Sequence, residues 1–178
     1  LKMLDKQELA EKLLEAGKKR FITADTKLDL IGGSAGLIGA LMNINSESAL
    51  ELAICAGDHL LSKQNSDGSW EDTEANKTGI LGFSHGTAGY AASLAKLHKW
   101  TGYDRYLLSA KAALSYERSY FDNSEQNWPD KRFDEENKFM ASWCHGAPGI
   151  ALGRACLWQT DAWDQQCRDE IEIAASTT

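Results

Sequence analysis

Proline is almost missing from this chain: Pro129 and Pro148 are the only 2, set against 15 glycines in 178 residues. That scarcity argues against a linker-rich or disordered chain. Positive charge is also short, with 19 Lys and Arg against 26 Asp and Glu and a net charge of −7. A nucleic acid or an anionic membrane surface recruits basic patches, so both are poor partners for such a chain. No apolar run approaches the length needed to span a bilayer. The opening Leu1-Lys2-Met3-Leu4-Asp5-Lys6 holds too short an apolar stretch for a signal peptide. No segment keeps up a period of two, so essentially no sheet is expected.

Cysteine is sparse as well. Cys55 and Cys156 lie in apolar helical runs and read as small core residues, and Cys144 stands apart in a loop beside His145. With Cys167 they make four, and without a signal sequence a reducing cytoplasm suits them better than a disulfide framework. The chain opens on Leu1 rather than methionine, from which we expect a piece of a longer protein.

What is present in abundance is helix and repetition. Apolar spacing predicts helices from about 5 to 20, 33 to 43, 48 to about 64, 86 to 100, 104 to about 121, 146 to 159 and 163 to 174. Ser48-Ala49-Leu50-Glu51 has the form of a capping box. On the helix it opens, Leu52, Cys55, Ala56, His59 and Leu60 share one face. Residues 65–82 and 122–142 read as long polar loops.

Three copies of one pattern punctuate these helices: Asp29-Leu30-Ile31-Gly32-Gly33-Ser34-Ala35-Gly36, then Ser84-His85-Gly86-Thr87-Ala88-Gly89, then Trp143-Cys144-His145-Gly146-Ala147-Pro148-Gly149. Their Gly-x-x-Gly cores are 53 residues apart from Gly33 to Gly86 and 60 from Gly86 to Gly146. A repeat of that length is one supersecondary unit stacked several times. The helix after each copy is apolar and rich in small residues. Its partner keeps a polar face, as with Arg105, Ser109, Lys111 and Glu117. An apolar helix followed by an amphipathic one makes an inner and an outer ring. The expected fold is all-α: an α/α toroid of repeated inner and outer helix pairs in one domain over 1–178, forming an incomplete ring, with repeats at about 5–45, 46–100 and 101–160.

The repeat puts a carboxylate, an imidazole and a thiol at comparable places on one rim. His85 stands between glycines at a helix amino end, where the dipole opposes protonation and leaves a proton donor or acceptor near neutral pH. A thiol placed like Cys144 has its thiolate favoured, which suits a metal ligand or a nucleophile. One cysteine cannot hold zinc, which takes three or four protein ligands in such sites. Asp29 has the position of a helix cap, and function is its second reading.

Gly82-Phe83-Ser84-His85-Gly86-Thr87-Ala88-Gly89 followed by Trp143-Cys144-His145-Gly146-Ala147-Pro148-Gly149 resembles the lanthionine synthetase C-like cyclases, and most of all the cyclase portion of class II (bifunctional) lanthipeptide synthetases. Residues 28–36 resemble that family's aspartate-containing first motif, and Asn127-Trp128-Pro129-Asp130 the stretch before its zinc cysteine. The likeness covers about residues 20 to 160. It implies an α/α toroid with a central zinc ion, acting on a precursor peptide. The reaction would be Michael addition of cysteine thiols to dehydroalanine or dehydrobutyrine, with zinc acidifying the substrate thiol. By the same resemblance Cys144 is the first zinc ligand, His85 the acid–base residue and Asp29 its assistant, while His145 contacts substrate or enolate.

Two departures accompany the likeness. The family's later Cys-His-Gly or Cys-Cys-Gly motif has no match, since Cys156 precedes Leu157-Trp158 and Cys167 precedes Arg168-Asp169. Met140 stands where some members carry an arginine, four residues before the metal cysteine. The remaining zinc ligands are thus expected beyond Thr178, in the rest of a longer synthetase chain, with the fragment alone inactive. A non-catalytic peptide- or thiol-binding toroid is the alternative. An α/α-toroid glycosidase would need facing carboxylates, and Asp67, Glu71 and Asp72 show no such pair.

Overall fold

The computed structural model describes residues 19–44, 46–72, 77–133 and 138–178. Helix dominates them: α1 (Lys19–Thr23), α2 (Ser34–Leu41), α3 (Glu47–Lys63), α4 (Thr87–Thr101), α5 (Asp104–Arg118), α6 (Gly146–Cys156) and α7 (Gln165–Thr177). The helix expected over 5–20 falls almost wholly outside the described residues. The only ladder among them is β1 (Glu71–Asp72) against β2 (Lys77–Thr78), antiparallel, two residues a strand.

Each rim motif opens an inner helix, and each inner helix packs on the outer helix that follows it: α2 on α3, α4 on α5, α6 on α7. The inner helices also touch in succession, α2 on α4 and α4 on α6. Small residues permit these crossings. A Cβ on Gly153 of α6 would strike Ala88 of α4, and one on Gly57 of α3 would strike Leu97 and Tyr106. Flanked on both sides, α4 buries every residue from Thr87 to Leu97 except Lys96. By contrast α5 buries one face, with Tyr106, Ala110, Ala113 and Leu114 inward and Arg105, Leu108 and Lys111 in solvent.

The expected polar face of α5 needs correcting in two places. Ser109 and Glu117 are buried, because each meets a polar partner inside: Ser109 donates its hydroxyl to Gln64 Oε1, and Glu117 pairs with Arg154. The start of α3 also differs. Ser46 rather than Ser48 caps it, accepting from Ala49 N–H at 3.1 Å. Cys167 is the fully buried thiol, while Cys55 and Cys156 are half-buried; all four cysteines are free. Of the face expected on α3, Leu52, Ala56, His59 and Leu60 are buried, and Cys55 at its edge is half-buried.

Candidate functional site at the rim of the helix stack

The two glycines of each motif have a physical cause. A Cβ on Gly36 or Gly89 would press on the carbonyl six residues upstream, at Leu30 or Phe83, and one on Gly149, the second glycine of the third copy, on the Cys144 carbonyl five residues upstream. The turn before each inner helix folds back so tightly that only a hydrogen fits there. The turns are also tied to one another. Leu30 N–H donates to Ser84 carbonyl at 3.0 Å, and Phe83 N–H donates to Cys144 carbonyl at 2.8 Å. Leu30 and Phe83 occupy equivalent motif positions, as do Ser84 and Cys144, so one inter-turn hydrogen bond occurs twice. It sets the three polar positions side by side.

The first free amide of each inner helix takes a different acceptor. Ser34 N–H donates to Asp25 Oδ2 at 2.7 Å, Thr87 N–H to the Ile80 carbonyl at 3.0 Å, and Ala147 N–H to Asn127 Oδ1 at 2.7 Å. Side-chain capping by the N-cap residue is absent at all three. Asn127 also accepts from Trp128 N–H and donates to the Met140 carbonyl. That fastens the Asn127-Trp128-Pro129-Asp130 loop beneath the Cys144 turn.

Asp29 and His85 meet directly. Asp29 Oδ1 accepts from Ile31 N–H at 3.0 Å and Gly32 N–H at 2.8 Å, as a turn-capping aspartate does. Its Oδ2 lies 2.6 Å from His85 Nδ1, so Nδ1 donates to it. Asp29 does not cap α2, whose first amide goes to Asp25; its Oδ1 instead closes the turn before that helix, and its Oδ2 meets His85. The Asp29 side chain is 11% exposed and that of His85 41% exposed. The imidazole is therefore oriented from one side and open to a reactant from the other, with Nε2 free for proton transfer.

His145 is 1% exposed. Its Nδ1 donates to the Leu81 carbonyl at 3.0 Å, which leaves Nε2 as a lone pair, and that buried atom has no partner among the described residues. Burial pushes its pKa below the ordinary value; the Leu81 carbonyl opposes this and the nearby Arg132 charge adds to it. The His85 and His145 rings stack at 6.3 Å, tilted by 22°. Cys144, half-buried, places Sγ 3.2 Å from Ser142 Oγ.

One cation here was not foreseen. Arg132 forks onto buried Asp130, with Nε 2.9 Å from Oδ1 and Nη2 2.7 Å from Oδ2, and Nη2 rests 3.1 Å from Met140 Sδ. A guanidinium therefore stands beside the Met140 position, reached from eight residues upstream. Its charge is felt by His145. The one sequence signal was the Asn-Trp-Pro-Asp stretch just before it.

Zinc is a different matter. Among the described residues no three His, Cys, Asp or Glu side chains are grouped so as to hold a metal ion. Cys144 by itself does not make a zinc site.

Helix pairs stacked with their glycine turns on one rim define an α/α-toroid protein. The chain belongs to the lanthionine synthetase C-like protein family, whose model matches residues 2–178. It is 29% identical over 126 residues to a lacticin 481/lactococcin biosynthesis protein of Lactococcus lactis subsp. lactis, a match covering 71% of this chain and 12% of that protein. Its structure resembles that of nisin cyclase with a TM-score of 0.64 at 19% identity, covering 96% of this chain and 48% of the cyclase. That likeness shows the fold. The chain spans about half the length of nisin cyclase and about an eighth of the lacticin protein.

Proposed function

We propose that this chain is a segment of a lanthipeptide cyclase domain, whose parent enzyme adds precursor-peptide cysteine thiols to dehydroalanine or dehydrobutyrine, giving lanthionine or methyllanthionine. The observation that carries the reading is the oriented imidazole: His85, held by Asp29, on a turn hydrogen-bonded to the turn of Cys144. His85 Nε2 takes the proton from the incoming thiol, and Asp29 stabilises the imidazolium that forms. The sulfur bonds to the β-carbon as the carbon–carbon double bond becomes an enolate. Nε2 then returns its proton to the α-carbon, so protons balance over the cycle. With Nδ1–H committed to Leu81, His145 is an acceptor; it suits a substrate N–H or S–H rather than the enolate oxygen.

Zinc enters this reading as a group completed elsewhere. Cys144 would supply one ligand and the others would come from ring segments outside this chain; when bound, zinc would favour the thiolate form of a coordinated thiol. Two observations support a continuing ring. The Trp143 N–H, equivalent to those of Leu30 and Phe83, has no acceptor among the described residues. Inner helix α6 leaves Leu152 41% exposed, whereas α4 is enclosed on both flanks. The partners are then the precursor peptide and the rest of the synthetase, in the cytoplasm. No helix among the described residues is long and apolar enough to cross a membrane.

The test uses the full-length protein carrying this chain and a dehydrated precursor peptide, with free thiols counted by alkylation and mass spectrometry. Ring formation is expected in the native protein and its loss in His85→Ala, which should retain its metal; Cys144→Ala should lose both. A protein that binds the peptide while every thiol stays free would be the non-catalytic relative and would overturn the reading.

A further inference from the structure

Glu117 lies on outer helix α5, yet its carboxylate is fully buried and reaches the turn that carries His85. One oxygen, Oε1, accepts from the Gly82 N–H at 3.3 Å and from the Thr87 hydroxyl at 2.6 Å. Those two residues bracket Phe83-Ser84-His85-Gly86, so a single atom grips both ends of the histidine turn. The other oxygen accepts from Arg154 Nη1 at 2.7 Å. Arg154 is itself fully buried on α6, the helix that begins immediately after Cys144 and His145. It is held from behind by Glu170 of α7, which also binds Arg118, the residue next to Glu117.

Burying a carboxylate and a guanidinium together is costly, and apolar side chains of the same volume fill such a space at least as well. What the charged pair adds is direction. A carboxylate oxygen accepts two hydrogen bonds at set angles, which an apolar contact cannot do. We propose that Glu117 is a positioning residue for His85: it clamps the turn so that the imidazole meets Asp29, and through Arg154 it keeps that turn in register with the helix bearing Cys144. The proposal rests on His85 as the proton carrier of the cyclisation reaction.

The test again uses the full-length protein. Thr87→Val removes the hydroxyl held by Glu117 and leaves the buried ion pair whole; Thr87→Ser keeps the hydroxyl. Thr87→Val should lower kcat about tenfold or more with KM for the dehydrated peptide unchanged, since small misplacements of a proton carrier are expensive. Thr87→Ser should restore the rate. In nitrogen-15 spectra the His85 Nδ1–H signal should move in Thr87→Val and return in Thr87→Ser. Glu117→Gln should act in the same direction, and if it fails to fold, the Thr87 pair decides. A Thr87→Val protein with native kcat and an unmoved His85 signal, alongside an inactive His85→Ala protein, overturns the clamp. If His85→Ala still cyclises, the proposed reaction fails instead, and the His85 signal alone judges the clamp.

Discussion

At the residue scale, Asp29 shows how one side chain serves structure and chemistry with separate atoms. Oδ1 closes its own turn and Oδ2 orients His85. Asp29→Asn can still cap the turn, but it loses the charge opposite the imidazole. Its cyclisation rate should fall by a factor on the order of 10², with the thermal midpoint close to native, as rate assays and calorimetry on the same protein would show. The glycines give a stability prediction. In Gly89→Ala the new methyl meets the Phe83 carbonyl and the Leu30 side chain, and overpacking of this kind costs about 1–3 kcal/mol; a urea midpoint unchanged from native would refute it. Asp29, His85 and Cys144 could be picked out from the motif because each lies within four residues of the glycine that opens its inner helix. Glu117 could not, because its partner Arg154 lies 37 residues away and a helix position alone does not reveal a buried salt bridge.

At the element scale, the helices divide by how their ends are satisfied. Outer helices α3 and α7 carry side-chain caps, Ser46 and Asp164, of the type read from short patterns, whereas outer helix α5, entered at Tyr103, carries none. Inner helices α2, α4 and α6 have none. Their first amides are met by Asp25, the Ile80 carbonyl and Asn127, acceptors from earlier in the chain. Sequence spacing located the inner helices through their glycines, yet the choice of Ser46 over Ser48 at α3 depended on where the preceding loop ends. The α5–α6–α7 contact is ionic at its centre. Arg154→Met would leave Glu117 buried without a partner guanidinium and Glu170 with that of Arg118 alone, and breaking a buried pair from one side costs about 3–5 kcal/mol. Chemical denaturation should show that loss, and replacing Glu117 and Glu170 by Gln in the same chain should recover part of it.

At the scale of the whole molecule, pH sets limits on both sides. Arg118 beside Asp164 holds that carboxyl well below its usual range. At Asp130 burial alone would raise the pKa, but the hydrogen bonds from Arg132 outweigh it and the net shift is downward. Both groups are depressed in the folded chain, so their stabilisation is present above 3.8, the ordinary value, and is lost as the pH falls below it. In the alkaline range burial pushes the Cys167 thiol from 9.0 up to about 11. The native chain keeps a proton that the unfolded chain has released, so stability is whole below 9.0 and declines toward 11. Melting temperatures measured against pH should fall at both ends, and Cys167→Ala should flatten the alkaline limb alone.

The amino-acid sequence by itself determined the helical class, the inner and outer alternation and the three rim turns. Each of these rests on local causes: apolar period, small residues and glycines forced by tight backbone approach. Tertiary structure alone decided the pairing of Asp29 with His85, the tautomer of His145, the guanidinium of Arg132 beside Met140 and the Glu117–Arg154 bridge. All of these but the Arg132–Met140 contact join residues from different helix pairs of the stack. Their energies come from burial and direction, which exist only once the helices have packed.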